Sequence, residues 1–208
     1  EPAIVPLAEH VAGRRPLRDV PNLLYVEGGR VRRTRRVRAE DLDALALPCY
    51  DAGVYPSVHE GGQVKLMVLD ESRGCPGQCA FCLHGRKSGR RWRLKSPRRL
   101  VEQMRAIRAA VGTRGFVYAG SNTPAKAADA NAKAIVEAGL DVRYACFGHF
   151  KGMANADLSL LRRSGCRAIF FGLESASERV LREAMHKRID LLGAAEMLGS
   201  LRAEGIVS

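Results

Sequence analysis

Apolar positions fall into two regimes along the chain. Before residue 63 they come in short, interrupted groups. Ile4, Leu7, Ala8 and Val11 share one helical face, and Gly13 stops the helix predicted over Glu1–Gly13. Arg14–Asn22 is a Pro-punctuated connection. Leu23–Val26 and Val31 flank Gly28-Gly29, the pattern of a small hairpin. Asp41–Leu47 is acidic and rich in Leu and Ala, and Pro48 leads into a Gly- and Pro-interrupted stretch ending at Gly62. This segment carries no chemistry of its own and reads as a connector over residues 1–62.

From residue 63 to 208 strand and helix patterns alternate. Strands are predicted at Val64–Leu69, Phe116–Ala119, Val142–Phe147 and Ala168–Leu173, with Ile206-Val207 beginning a fifth. Ser96-Pro97 caps and opens a helix in which Leu100, Met104, Ile107 and Val111 recur at helical spacing before Gly112. Thr123-Pro124 repeats that start ahead of an Ala-rich helix to Gly139. Asn155 is the expected cap of a helix through Leu158 and Leu161 to Gly165. Ser177 caps Glu178–Met185, and Asp190 opens a helix closed by Gly205.

Such alternation predicts an α/β fold: a parallel sheet with right-handed crossovers. Loops that follow strands then gather on one face, where α/β barrels place their chemistry. Four such loops are the cysteine-bearing segment, Gly120-Ser121-Asn122, Gly148-His149 and Glu174-Ser175. They are expected to surround one pocket.

The first of those loops reads Cys75-Pro76-Gly77-Gln78-Cys79-Ala80-Phe81-Cys82. Three thiolates fit a four-iron cluster with one iron left open, because such a cluster is normally held by four Cys. A structural zinc site wants four closed ligands, usually from C-x2-C pairs, and His84 or His59 would have to be the fourth. A disulfide framework would leave one of the three unpaired, and no secretory segment precedes them. The cluster is the preferred reading. Cys49 and Cys166 read as small buried residues.

No apolar run approaches the ~20 residues a membrane span needs, so a cytoplasmic protein with reduced thiols is expected. The chain opens on Glu1 and closes just after Ile206-Val207, which reads as a piece of a longer protein. The formal net charge is +12 and the basic residues are mostly Arg. They concentrate at Arg30–Arg38 and Arg86–Arg99. A solvated surface is favoured over nucleic-acid binding, since stacking aromatics should interleave a nucleic-acid patch and Trp92 is the only one in either stretch.

Ser72-Arg73-Gly74-Cys75 through Cys82, taken with Phe170-Phe171-Gly172-Leu173-Glu174-Ser175-Ala176-Ser177, resembles the radical S-adenosylmethionine (SAM) enzymes. Asp19–Tyr25 with Gly28-Gly29, Asp41-Leu42-Asp43 and Leu47-Pro48 is similar to the linker of the branch with an N-terminal cobalamin-binding domain. The resemblance implies a partial TIM-type (β/α) barrel, of which about the first four to five βα units are present, after a cobalamin domain outside this chain.

It also implies that Cys75, Cys79 and Cys82 ligate a [4Fe-4S] cluster whose open iron is chelated by SAM. A low-potential electron then cleaves SAM to a 5′-deoxyadenosyl radical, with the cofactors supplying the chemistry. Phe81 is placed near the adenine, or in the core beneath the loop. Gly120, Ser121 and Asn122 occupy the position of a SAM amine contact, although the acid common there is missing. Gly172, Glu174 and Ser175 fall where relatives hold the SAM ribose or amino-acid portion, against a plain helix-capping role for Glu174. Tyr144, Cys146 and His149 read first as a core Tyr, a buried Cys and a surface His. The implied activity is methyl transfer to an unactivated carbon of a small-molecule or peptide substrate, with an electron donor such as flavodoxin or ferredoxin. The alternatives are an RNA-modifying methylthiotransferase and a zinc-stabilised nucleic-acid-binding module.

Overall fold

The computed structural model describes residues 1–50 and 66–208. Two compact units divide at Leu45/Ala46. In the first, helix Ile4–Val11 carries the predicted apolar face but buries none of its own residues. Strands β1 (Leu24–Glu27) and β2 (Arg30–Arg33) form the predicted hairpin, with Val26 opposite Val31. Gly28 and Gly29 turn it at φ +57° and +73°, the double left-handed conformation of a tight two-residue turn. Asn22 zips its base, since its side chain donates to Val37 O and accepts from Val37 N–H.

The second unit is a parallel sheet of four strands: β3 (Met67–Leu69), β6 (Gly115–Tyr118), β7 (Arg143–Gly148) and β8 (Cys166–Phe171), adjacent in that order. Between β3 and β6 in sequence lie two short strands, β4 (Ser72–Arg73) and β5 (Arg93–Leu94), which pair antiparallel. Val207 bridges to Ala168 in parallel, so the fifth strand begins where expected. Val64 of predicted strand one, together with His59 and Gly62, lies outside the described residues.

Alternation within the strands decides which face is covered. Phe116, Tyr118, Tyr144, Cys146 and Ile169 are buried with Leu100, Met104 and Ile107 of helix Pro97–Val111 and Ala128, Ala132 and Ile135 of helix Ala125–Glu137. The opposite face stays open: Val68, Phe147 and Phe170 are exposed, and the rings of Phe147 and Phe170 lie 5.6 Å apart.

Helix starts divide between prediction and correction. Ser96 Oγ accepts from Arg99 N–H at 3.1 Å and Gly112 ends the helix at φ +71°. Asp190 accepts from Leu192 N–H ahead of helix Leu191–Ala203, and Ser177 accepts from Val180 N–H; the turn beyond Ser177, Val180–Ala184, is wide and π-type. Helix Leu158–Arg163 is capped by Asp157 rather than Asn155, because Asp157 holds Leu160 N–H at 2.8 Å. Thr123 caps nothing, for its hydroxyl is committed to Glu71.

Candidate functional site

The cysteine loop is an excursion closed at its base. Pairing of β4 with β5 brings Arg73 beside Arg93 and leaves Gly74–Trp92 to run out from the end of β3 and return. Inside it, Cys75 N–H donates to Gly89 O at 3.0 Å and a short helix spans His84–Ser88. Gly74 sits at φ +88°, and a Cβ there would collide with Arg91 O. Gly74→Ala therefore costs more than about 1 kcal/mol of local stability and displaces Cys75. The expected result is a clear loss of reconstituted iron per chain, with the far-ultraviolet circular dichroism unchanged.

Backbone hydrogen bonds end on two of these sulfurs. Gly77 N–H donates to Cys75 Sγ and His84 N–H to Cys82 Sγ, each at 3.4 Å. A Cβ on Gly77 would stand 3.3 Å from Cys75 Sγ and 3.9 Å from Cys79 Sγ, so its missing side chain keeps the space between two sulfurs clear. Burial pushes the Cys79 thiol up, Lys187 draws it down, and Cys82 and Cys75 push it up again. Mutual repulsion of this kind is relieved by bound iron.

Among the described residues, no three His, Cys, Asp or Glu side chains converge on a single ion. Three thiols in one loop are the donor type that iron–sulfur clusters take, and in that chemical sense the residues present fit the cluster.

The loop after β6 clips onto this one. Ser121 Oγ donates to Gly74 O, and Asn122 Nδ2 to Cys75 Sγ at 3.7 Å. Trp92 Nε1 donates to Asn122 Oδ1 at 3.0 Å. Beneath them Glu71, only 2% exposed, accepts from Gly120 N–H (3.1 Å), Thr123 Oγ1 (2.8 Å) and Ser72 Oγ (3.0 Å). A Cβ on Gly120 would strike Ser72 Oγ and Glu71 Oε1, so the glycine is a requirement of close approach. Burial raises the Glu71 carboxyl above its ordinary range, and those three donors pull it partly back.

The loop after β8 reaches the cysteines through Lys187. Its ammonium donates to Gly172 O and to Glu174 Oε1 (3.2 Å), and lies 5.9 Å from the centre of the Phe81 ring. Ala80 N–H donates to Met185 O at 2.9 Å, a second tie between the same segments. Glu174 sits at φ +67°, a conformation that costs a non-glycine residue about 1–3 kcal/mol. Ser175 Oγ accepts from Ser177 N–H at 3.1 Å. Near these residues, a cavity of about 550 Å³ shares Lys187 but no cysteine with the site, and Phe150, Leu181, Ile189 and Met197 line much of the rest.

Three of the four strand-end loops are thus joined by named contacts. His149 is half-buried, and burial with Lys187 and Lys151 nearby lowers its pKa. Tyr144 and Cys146 are buried in the core, Tyr144 stacked on Tyr118 at 4.8 Å. Phe81 is 54% exposed, which rules out the core position beneath the loop. Glu174 pairs with Lys187 instead of capping a helix. Cys166 is buried as expected, but Cys49 is exposed, a correction that follows from its place in an irregular segment. Of the second basic run, Arg93 and Lys95 are interior: Arg93 donates to Ser88 O, and Lys95 to Asp70 and Gln103.

The sequence reading missed Glu71 and Lys187. The signal for Glu71 is a carboxylate two positions past the apolar end of a strand; for Lys187, a cation shortly before the apolar Ile189.

A parallel α/β sheet whose strand β3 leads through β4 into a three-cysteine loop has the architecture of a partial barrel. Residues 72–207 match the model of the Radical SAM superfamily, and the chain belongs to that family. It is 27% identical over 179 residues to the uncharacterized methyltransferase PH0819 of Pyrococcus horikoshii, covering 84% of this chain and 39% of that protein.

Among solved structures, the cobalamin-dependent S-adenosylmethionine radical enzyme OxsB in its apo form is similar with a TM-score of 0.82. That match has 18% identity and covers 99% of this chain and 31% of OxsB. The radical S-adenosylmethionine methyltransferase TsrM from Kitasatospora setae, with cobalamin and a [4Fe-4S] cluster bound, gives a TM-score of 0.74 at 17% identity. It covers 96% of this chain and 43% of TsrM. The chain spans less than half the length of each of these relatives. Among the described residues no helix is long and apolar enough to cross a membrane.

Proposed function

We propose that this chain is the cluster- and SAM-binding core of a cobalamin-dependent radical methyltransferase acting on an unactivated carbon. The observation that carries the proposal is the joining of the three-cysteine loop to the ends of β6 and β8, through Asn122 on one side and Lys187 on the other. The methyl-transfer part draws its support from the names of PH0819 and TsrM, and the cobalamin part from those of OxsB and TsrM.

In this reading Cys75, Cys79 and Cys82 hold the [4Fe-4S] cluster. Phe81, Gly172, Glu174 and Ser175 hold SAM on one side, while Gly120, Ser121 and Asn122 close the other. The cluster supplies one low-potential electron to the SAM sulfonium. Cobalamin, bound chiefly by a domain outside this chain that residues 1–62 would connect to the core at 63–208, supplies the methyl carrier. The chain's own residues position and insulate. Lys187 holds the Gly172–Glu174 turn against Phe81, and Glu71 fixes the β6 loop from below. The open apolar face of Val68, Phe147 and Phe170 offers a small-molecule or peptide substrate an apolar surface to dock against. A flavodoxin or ferredoxin would deliver the electron, and the setting would be the cytoplasm, where thiols stay reduced.

The test is anaerobic reconstitution of the enzyme with iron, sulfide, cobalamin, SAM and reductant, with 5′-deoxyadenosine and S-adenosylhomocysteine quantified by mass spectrometry. Both products are expected, and both should disappear in Cys79→Ala. Deoxyadenosine alone would keep the radical core and remove the methyltransferase reading. S-adenosylhomocysteine alone would mean polar methyl transfer.

A further inference from the structure

We propose that Trp92 and Asn122 form a relay that sets the reduction potential of the cluster through Cys75; this rests on the cluster-binding reading above. Asn122 has two chemically different ends. An indole N–H can only donate, so Trp92 Nε1, 3.0 Å from the side-chain amide, fixes the oxygen of Asn122 toward the indole. The amide nitrogen is thereby forced to the other side, where it donates to Cys75 Sγ at 3.7 Å. Trp92 thus decides the flip of an amide it holds from thirty residues away.

Backbone contacts supply the comparison. Cys75 Sγ also receives Gly77 N–H, and Cys82 Sγ receives His84 N–H, but both donors belong to the cysteine loop and move with it. Asn122 is a donor from a different strand end, anchored in part from outside the loop. Glu71 grips Gly120 N–H and Thr123 Oγ1 on either side of it, and Ser121 holds Gly74 O. Hydrogen bonds to cluster sulfurs are among the determinants of cluster potential. Each withdraws electron density from the thiolate and stabilises the reduced form, so a donor locked this firmly raises the potential by a fixed amount. No covalent step is involved. Asn122 acts through Cys75 and is a tuning residue.

The variants are Asn122→Leu, which keeps bulk and removes the donor, and Trp92→Phe, which keeps the ring and removes the N–H that orients the amide. The protein is reconstituted anaerobically with iron and sulfide alone, iron and sulfide per chain are measured, and the cluster is titrated by EPR-monitored reduction. Asn122→Leu is expected to lower the midpoint potential so that the reduced-to-oxidised ratio at a fixed applied potential falls about tenfold, equivalent to about 59 mV for one electron. Trp92→Phe should shift it in the same direction by less. With ¹⁵N-asparagine in the wild type, the reduced cluster should show a weak nitrogen coupling that Asn122→Leu abolishes.

An unchanged midpoint in loaded Asn122→Leu overturns the relay while leaving the cluster reading intact. If that variant fails to load, an unchanged midpoint in Trp92→Phe, or absence of the nitrogen coupling in the wild type, overturns it equally. A wild type that takes up no iron and sulfide removes the cluster reading itself.

Discussion

Glu71→Ala is expected to destabilise the protein by about 2–4 kcal/mol, because it strands buried donors. Ser72 and Thr123 hydroxyls can rotate toward other acceptors, but the Gly120 N–H is fixed in the backbone and buried. An orphaned buried N–H alone costs about 1–3 kcal/mol, and the cavity left by the side chain adds to it. Glu71→Gln keeps the shape and one acceptor oxygen, so it should lose less. Denaturant unfolding of the three proteins measures this directly. A loss below about 1 kcal/mol in Glu71→Ala would mean that the β6 loop does not depend on the carboxylate.

The same residue gives a pH signature. Burial holds the folded-state pKa of Glu71 above the ordinary 4.5. Between those two values the folded chain keeps a proton that the unfolded chain has released, so stability falls as pH rises through that window and levels off above it. Glu71→Gln lacks the titration. The stability advantage of wild type over Glu71→Gln should therefore shrink as pH rises from below 4.5 toward neutrality. Asp70 contributes in the opposite sense and at lower pH. Burial pushes its carboxyl up, but Lys95 and Arg73 outweigh that and bring it below 3.8. Its contribution is present above that range and lost as pH falls through it.

Periodicity and caps made the frame legible. Leu100, Met104 and Ile107 announce their helix by spacing, Ser96 and Gly112 announce its ends, and β6, β7 and β8 lie within two residues of the predicted bounds, while β3 ends at Leu69 as predicted. The cysteine spacing marks the site itself. Contacts between loops left no such trace. Nothing local distinguishes Thr123 as a cap from Thr123 as a donor to Glu71, since the carboxylate is fifty-two residues away in sequence. Glu71 and Lys187 carry charges that sequence reasoning assigns to the surface, and only the fold shows the partners that allow their burial. Two-residue strands such as β4 and β5 have too few positions for any alternation to register, yet their pairing is what closes the cysteine loop.

Those long-range contacts also order the site into two supports of different kinds. On the β6 side Glu71, Ser121 and Asn122 make hydrogen bonds that end on the buried backbone or on Cys75. On the β8 side one cation serves three groups, Gly172 O, Glu174 and the Phe81 ring. The first support is distributed, so single changes weaken it by degrees. The second rests mainly on that ammonium, with Ala80 N–H to Met185 O as the other tie.

Lys187→Met is accordingly expected to damage SAM binding more than its distance from the cysteines would indicate. Methionine retains the length and apolar stem but removes the ammonium. Glu174, held at positive φ, loses its ion pair, and the Gly172 carbonyl loses its donor. Hydrogen bonds to charged groups are worth about 1.5–3 kcal/mol, which corresponds to about a 10- to 150-fold change in an equilibrium constant. If the Gly172–Ser175 turn holds SAM, affinity measured by titrating SAM into the reconstituted protein should fall by about 10-fold or more. Lys187→Arg, which keeps the charge, should recover part of it. Cluster content, set by the cysteines, should remain within about twofold of wild type, and this separates a SAM defect from a folding defect. Affinity within about twofold of wild type in Lys187→Met, with the cluster loaded, would remove Glu174 and Gly172 from the SAM site and leave Lys187 a purely structural cation.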